Sequence, residues 1–178
     1  MSGCGDVDSV ATGVVIGRGQ ILTVAHVLRG DGPVRVGPLV VAVVAIDWRA
    51  DLAVLRGVAD GPEPVLASAG IGDSVDVLVW RDRRVDALHA TVTRTPTIID
   101  ETRDGAGAAG AGGRRDGLVV GIPVRPGDSG APVLRRGSEL VGIVTATAQG
   151  DDVTYATSAS EVTRLLAAPT ETPVRRGC

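Results

Sequence analysis

The sequence predicts an all-β fold of two six-stranded antiparallel β-barrels followed by a C-terminal helix. Apolar residues make up 44% of the 178 residues, but aromatic residues only 2% and Phe is absent. The core must therefore be built from Val, Leu, Ile and Ala, and the abundance of Val favours strands. Twelve short strand-like segments also follow one another with turn residues between them, which is typical of barrels and sandwiches.

Six of these segments predict an N-terminal barrel within residues 1–70. Each is a short run rich in Val, Leu, Ile or Ala, bounded by turn-forming or charged residues. In chain order they are ATGVVIG from residue 11, QILTVAH from 20, PVRV from 33, LVVAVVAID from 39, LAVL from 52 and PVLA from 64.

The other six segments predict a C-terminal barrel within residues 71–178. The stretch RDRR at 81–84 is interpreted as a charged hairpin turn, and the Gly/Ala-rich stretch 103–117 as a mobile loop. The segments are SVDVLVW from 74, DALHATVTRT from 86, GLVVGIPV from 117, APVL from 131, ELVGIVTATA from 139 and VTYATS from 153.

One helix is predicted near the end of the chain. Ser158 and Glu161 form a Ser-x-x-Glu capping box, and Val162 and Leu165 then recur at helical spacing before Pro169 stops the run. The helix is expected to close the fold.

Charge and hydropathy exclude two classes of partner. The net charge is -3 and the Arg doublets are scattered, so no nucleic-acid partner is expected. The longest apolar stretch, residues 38–46, is well below the roughly 18 residues of a membrane span.

No secretory signal is visible in residues 1–10. Cys4 and Cys178 could form a disulfide in an oxidising compartment or remain free thiols, and sequence leaves both open.

The order of titratable residues narrows the candidate chemistry. The two histidines, His26 and His89, both precede Ser129, whereas the α/β-hydrolase arrangement needs its His after the Ser. A subtilisin arrangement needs an Asp before the His, and such residues occur only in the N-terminal tail. The remaining order is His, Asp, Ser. His89 has no matching motif and is interpreted as a strand residue.

Three local motifs occupy that order. LTVAHVL places His26 at the end of a strand, ADLAVL places Asp51 at the start of another, and PGDSGAP places Ser129 in a Gly-rich turn. Together they resemble the trypsin-like (chymotrypsin-fold) serine peptidases of the compact bacterial type, over most of the chain from about Thr12 to Leu166. Asp47, four residues before Asp51, is the competing carboxylate, but DLAVL carries the motif.

The resemblance implies a serine endopeptidase that acts on polypeptide substrates through an acyl-enzyme. Ser129 would be the nucleophile, His26 its general base and Asp51 the residue that orients the His. The backbone amides of Gly127 and Ser129 would form the oxyanion hole. No cofactor and no metal are expected. The resemblance also suggests a secreted or cell-envelope location, and the oligomeric state stays open.

Further residues are carried over as substrate-binding positions. The edge of the strand after the nucleophile, Thr145, Ala146 and Thr147, would pair with extended substrate, and the Thr145 hydroxyl would bond the catalytic Asp. Pro123 stands where trypsin has an Asp, so specificity for Arg or Lys loses its usual support. With Val144 and Thr147 nearby, we expect a small or apolar side chain before the scissile bond.

One departure from the family keeps other functions open. The new amino terminus that pairs with the Asp of GDSG in family zymogens has no counterpart motif before the first strand, so Asp128 lacks an obvious partner. A catalytically silent peptide-binding module is therefore an alternative. A third possibility is an enzyme that cleaves only itself, in the Arg-bearing loop at 103–116.

Overall fold

The structure, a computed structural model, describes residues 10–30, 32–57, 60–99, 114–147 and 152–168. Within these ranges it contains fourteen strands, one short 3-10 helix and one α-helix. The all-β prediction with a C-terminal helix is confirmed. Cys4, Cys178 and most of the predicted loop lie outside the described residues.

The N-terminal half forms an open sheet and a separate hairpin. Strands β1, β2, β6 and β5 form an antiparallel sheet in that order, and β3 pairs only with β4. The predicted six-stranded N-terminal barrel is therefore not closed among the described residues. The six strands are β1 (Val14–Val15), β2 (Gln20–Thr23), β3 (Arg35–Val36), β4 (Leu39–Val40), β5 (Ala42–Asp47) and β6 (Leu52–Arg56).

The predicted strand at 39–47 is divided in two. The Val41 amide donates to the Val34 carbonyl at 3.0 Å, and the Val41 side chain is 7% exposed. Since Val41 turns inward, it separates the hairpin strand β4 from the sheet strand β5.

The C-terminal half contains a closed barrel, as predicted. Strands β8, β9, β11, β14, β13 and β12 pair in a ring, and every pairing in that ring is antiparallel. The strands of this half are β7 (Val65–Leu66), β8 (Ser74–Arg81), β9 (Arg84–Arg94), β10 (Thr97–Ile99), β11 (Arg114–Val120), β12 (Pro132–Arg135), β13 (Glu139–Thr147) and β14 (Thr154–Ser158).

Three details of this half differ from the sequence pattern. The β7 segment, grouped above with the first six strands, pairs with β13 in parallel. The short strand β10 was not predicted, and it pairs with β11. Strand β11 begins at Arg114, three residues before the predicted strand start at 117, because the Arg115 side chain is buried and the register with β10 extends to that end.

The core joins the two halves. The interior of the closed barrel is lined by valines of β8, β9, β11 and β12, including Val77, Val79 and Val133. A second cluster takes residues from the N-terminal sheet, the barrel and the helix together: Leu22, Leu52, Val54, Leu140, Ile143, Val162 and Leu165. Burial of these shared side chains holds the two halves at one interface.

The helix α1 spans Ala159–Ala167 with Ser158 as its N-cap, as the sequence predicted. No helix within the described ranges has the length and apolarity needed to cross a membrane. The capping box itself is not formed, because the Ser158 hydroxyl pairs with the Ser160 hydroxyl at 2.7 Å and caps no backbone amide.

The Glu161 side chain bridges the two halves instead of capping the helix. It is 1% exposed and accepts from Arg49 Nη2 at 2.6 Å, from the Asp116 amide at 2.9 Å and from Arg164 Nη1 at 2.5 Å. These are charge-assisted bonds, and two guanidinium groups supply both positive charges that face the buried carboxylate.

These bonds change the acidity of Glu161. Burial by itself raises the pKa of the Glu161 carboxyl, but the hydrogen bonds from Arg49, Arg164 and the Asp116 amide outweigh it and lower the pKa to about 2. A lowered carboxyl pKa contributes stability that is present above the ordinary value of 4.5 and is lost as the pH falls towards 2. By linkage the contribution is on the order of 3 kcal/mol.

We expect Glu161→Gln to remove this pH-dependent part of the free energy of unfolding. Denaturant titrations between pH 2.5 and 6 should show wild type losing about 2 to 3 kcal/mol more than the variant as the pH falls. Glu139→Gln removes a half-exposed partner of Arg135 and serves as the control, with a profile parallel to wild type. Identical pH profiles for wild type and Glu161→Gln would contradict the assignment.

Candidate active site

His26 and Asp51 form a directly hydrogen-bonded pair. His26 opens the 3-10 helix that follows β2, and Asp51 immediately precedes β6. The Asp51 carboxylate accepts the His26 backbone amide on Oδ1 at 2.9 Å and lies 2.8 Å from Nδ1 through Oδ2. Because Asp51 engages Nδ1, Nε2 is the ring nitrogen left for another partner. The His26 side chain is 40% exposed and that of Asp51 12%, so the pair is accessible from the ring side.

The turn before β6 explains why Asp51, rather than Asp47, reaches His26. Asp47 Oδ1 accepts the amides of Arg49 and Ala50, both at 2.9 Å, as is typical of an Asp that stabilises a turn. Asp51 has φ 56°, a left-handed conformation that Asp tolerates better than most residues. The structure therefore brings the preferred carboxylate to the His and leaves the competing one in the turn.

Ser129 lies in the loop between β11 and β12, beside the N-terminal segment. Its carbonyl accepts the Thr12 amide at 2.7 Å. The next residue, Gly130, has φ 86°, and a Cβ there would lie 1.9 Å from the Thr12 carbonyl oxygen and 2.8 Å from Thr23 Oγ1. Only glycine therefore lets the N-terminal segment and β2 pack against the loop that carries Ser129.

No hydrogen bond joins Ser129 Oγ to His26 in the described part of the chain. The Ser129 side chain is half-buried. Catalytic hydrogen bonds are often long in unliganded sites and shorten when substrate binds. The absence of this hydrogen bond is therefore compatible with a Ser–His pair.

Two backbone amides in this loop are available to a ligand. Among the described residues, the N–H groups of Gly127 and Ser129 donate to no protein acceptor. Gly127 has φ 97°, and a Cβ there would meet nothing within 4 Å, so glycine serves the backbone conformation alone. The Gly127 carbonyl is held by Thr12 Oγ1 at 2.9 Å, which orients the following peptide group. These donors are the groups expected to form the oxyanion hole.

Asp128 has a partner that the sequence interpretation missed. Its buried carboxylate accepts from Arg81 Nη2 at 2.5 Å and from the Arg125 amide at 2.8 Å through Oδ2. Arg81 ends β8, and the two residues after it, Asp82 and Arg83, have φ 49° and 64° in a tight hairpin turn. Nothing in RDRR distinguishes Arg81 from its neighbours, because the hairpin geometry alone decides which Arg faces inward.

The expected substrate-binding residues differ in their burial and in their position in the barrel. Pro123 is exposed, and Ala146 and Thr147 lie in β13. Val144 has no exposed surface. Its amide donates to the Ala131 carbonyl at 2.9 Å, and its carbonyl accepts the Gly130 amide at 2.8 Å, so both backbone groups bind the end of the nucleophile loop. It therefore supports that loop from the barrel core and does not line the cleft.

The Thr145 hydroxyl does not make the bond expected from the resemblance. It donates to the Tyr155 carbonyl at 3.4 Å, across the β13–β14 ladder, and not to Asp51. The ladder register shifts between Val144 and Ala146, and at this irregularity the Thr145 hydroxyl meets the Tyr155 carbonyl of the neighbouring strand.

A separate cleft of about 450 Å³ lies between β7, β11 and the start of α1. Leu66, Asp116, Leu118 and Ser160 are among its lining residues, whereas none of His26, Asp51 and Ser129 lines it. The cleft is therefore distinct from the candidate active site.

Known proteins resemble this chain in sequence. Protease Do-like 1, chloroplastic, of Arabidopsis thaliana is 34% identical over 140 residues, which are 72% of this chain and 31% of that protein. The chain thus spans about a third of that curated relative.

Solved structures resemble it in fold. The Rv3671c protease of M. tuberculosis in its active form has a TM-score of 0.79 and 27% identity, covering 94% of this chain and 77% of that chain. Its inactive form has a TM-score of 0.71 and 26% identity, covering 88% and 82%.

A family profile described as a trypsin-like peptidase domain matches residues 11–143, well over half of the chain. This range includes His26, Asp51 and Ser129, and the resemblance inferred from the three motifs is confirmed. The chain belongs to the trypsin-like peptidase family.

Proposed function

We propose that the chain is a serine endopeptidase that hydrolyses peptide bonds through an acyl-enzyme on Ser129. The observation that carries this proposal is the His26–Asp51 pair, in which the carboxylate lies 2.8 Å from Nδ1 and leaves Nε2 for the nucleophile. Membership of the trypsin-like peptidase family supports it independently. The units 1–70 and 71–178 would act together, since one contributes the base and the other the nucleophile.

The first half-reaction transfers the acyl group to Ser129. His26 Nε2 removes the proton from Ser129 Oγ as the oxygen attacks the carbonyl carbon, and the carbonyl oxygen becomes an oxyanion that the amides of Gly127 and Ser129 bind. The C–N bond then breaks, and the proton on His26 passes to the leaving amine. Asp51 stabilises the imidazolium throughout but stays ionised.

The second half-reaction returns the enzyme to its starting state. Water enters where the amine left, His26 takes one of its protons, and the resulting hydroxide attacks the ester carbonyl. Collapse of the second tetrahedral intermediate breaks the C–O bond to Ser129, which recovers its proton from His26. The same two amides serve both intermediates.

The oxyanion loop does not depend on a newly released amino terminus. Arg81 Nη2 donates to the Asp128 carboxylate at 2.5 Å, and the Thr12 hydroxyl donates to the Gly127 carbonyl. The loop is therefore anchored from β8 and from the N-terminal segment. This removes the main reason for considering a silent peptide-binding module, which was the unpaired Asp128.

For the substrate we propose a polypeptide with a small or apolar side chain before the scissile bond. Pro123 stands where trypsin carries its Asp, and it places no charge in that position. The β13 edge at Ala146 and Thr147 would pair with the extended substrate backbone.

The direct test is covalent labelling of the native protein with a fluorophosphonate, read by intact mass and by the modified peptide. Labelling at Ser129, followed by cleavage of a peptide library after small or apolar residues, is the expected result. Peptide binding without any labelling would instead support the binding module.

We expect Arg81→Met to impair catalysis through the oxyanion loop. The change leaves a buried Asp128 carboxylate without its cationic partner, and misplacing one oxyanion donor costs about a hundredfold to a thousandfold in kcat. KM should change much less, because the loss acts on the transition state. Arg84→Met is the control, since Arg84 is exposed and its ion pair among the described residues is with Asp86. A kcat for Arg81→Met equal to that of the control would refute this role.

A further inference from the structure

The five-residue turn from Asp47 to Asp51 ends with Asp51 in a backbone conformation that the hydrogen bonds within the turn do not explain. Asp51 has φ 56°, and a non-glycine residue stays in that region only where the surroundings determine it. Inside the turn, Asp47 binds the amides of Arg49 and Ala50, but neither of these bonds reaches Asp51. The source of the constraint must therefore lie outside the turn.

Part of that constraint comes from the segment after β2, because the Asp51 carbonyl accepts the Ala25 amide at 3.3 Å and its carboxylate accepts the His26 amide at 2.9 Å. The closed barrel holds the residues that precede Asp51. The Ala50 carbonyl accepts Thr157 Oγ1 at 2.9 Å in a fully buried bond, and the Arg49 carbonyl accepts Arg115 Nη1 at 3.3 Å. The Arg49 side chain reaches back to the Arg114 carbonyl at 2.5 Å through Nη1. The two peptide groups that precede Asp51 are thus held from strands β11 and β14.

Glu161 completes this attachment from the helix. Its carboxylate binds Arg49 Nη2 at 2.6 Å while also accepting the Asp116 amide, so it fixes the guanidinium against both α1 and β11. The helix itself is anchored through Val162 and Leu165 in the shared core. A buried carboxylate with two arginine partners makes this a rigid contact, because moving Arg49 would leave Glu161 with an unmatched acceptor.

We propose that Glu161, acting through Arg49, is a positioning residue for Asp51, so that the C-terminal helix sets the aim of the carboxylate at His26. The inference rests on the proposed peptidase function and extends it. The catalytic base on one half of the molecule is oriented by a salt bridge from the other half. The Ser-x-x-Glu motif, which resembles a helix cap, supplies that salt bridge.

The test compares two arginines that share the same partner. Arg49 and Arg164 both bind Glu161, but only Arg49 belongs to the turn that carries Asp51. Arg49→Gln and Arg164→Gln therefore each remove one ion pair from Glu161, and only the first should disturb Asp51. Arg49→Lys, which keeps the charge and one donor, is the conservative variant. Each protein is studied as the full chain, with far-UV circular dichroism and thermal unfolding to establish that it folds.

Two readouts are measured, of which one does not require turnover. The first is kcat and KM on a peptide substrate. The second is the low-field proton resonance of the His26–Asp51 hydrogen bond, which reports on the geometry of the pair whether or not the protein cleaves peptides. A failure of the proposed function would appear as unlabelled Ser129 in wild type, while the resonance would still test the positioning role.

We expect Arg49→Gln to lower kcat by about tenfold to a hundredfold with little change in KM, and to shift or broaden the resonance. Arg164→Gln should keep both readouts within about twofold of wild type, and Arg49→Lys should recover part of the loss. Equal kcat values and equal resonances for folded Arg49→Gln and Arg164→Gln would overturn the proposal. If Arg49→Gln does not fold, Arg49→Lys takes its place in the same comparison, and a wild-type resonance and kcat in that variant would overturn it too.

Discussion

Ser129→Ala is expected to lower kcat by about a million-fold while leaving the fold intact. The loss is this large because the three catalytic residues act as a unit, so His26 and Asp51 no longer accelerate the reaction once the nucleophile is missing. The residual rate should come from the amides of Gly127 and Ser129, which the substitution retains, and amounts to about a thousandfold to ten-thousandfold over water.

The measurement is steady-state hydrolysis of a peptide substrate, with fluorophosphonate labelling on the same samples. Ser138→Ala is the matched control, because Ser138 is exposed in the turn between β12 and β13 and contacts neither His26 nor Asp51. That variant should keep full activity and full labelling. Unchanged proteolysis in Ser129→Ala would show that another group is the nucleophile, and the acyl-enzyme mechanism would fail.

Asp51→Asn should reduce kcat by about ten-thousandfold. The substitution keeps an acceptor for the His26 backbone amide, which Oδ1 binds at 2.9 Å, so the turn is retained. It replaces the other oxygen, 2.8 Å from Nδ1, by an NH2 group that donates a hydrogen bond to Nδ1. His26 would then carry its proton on Nε2, where it cannot accept one from Ser129.

Two further Asp→Asn substitutions make this result specific. Asp76 pairs with His89 Nδ1 on an exposed face of the barrel, so Asp76→Asn breaks a His–Asp pair that has no part in the proposed mechanism. It should leave kcat unchanged. Asp47→Asn keeps the oxygen that caps the turn and should cost far less than Asp51→Asn. A larger loss for Asp47→Asn than for Asp51→Asn would exchange the two assignments.

Much of the fold follows from local pattern. The Val-rich segments between turn residues predicted the barrel strands because side chains on a half-buried strand must match the apolar core they face. The same segments predicted twelve strands, whereas the described residues form fourteen. Among the described residues the N-terminal half does not close into the predicted barrel, since pairing between β1 and β5 depends on partners distant in sequence and not on the composition of either strand.

The candidate site divides in the same way. His26 and Asp51 were selected from their motifs and their order along the chain, and the structure joins them at 2.8 Å. Thr145 and Val144 were carried over from the resemblance, and their substrate-binding role stays a prediction, although the hydrogen bond expected from Thr145 to Asp51 is not formed. A shift in the β13–β14 register turns Thr145 towards Tyr155, and Val144 is enclosed by the barrel core.

By itself the sequence determined the class of the protein: an all-β fold, its closing helix and three motifs of the trypsin-like family, because each of these depends on neighbouring residues along the chain. Tertiary structure decided how the site is held together. Arg81 meets Asp128 across 47 positions and Arg49 meets Glu161 across 112. Buried charges must be matched by whichever opposite charge the fold brings near them, and no local pattern records which one that is.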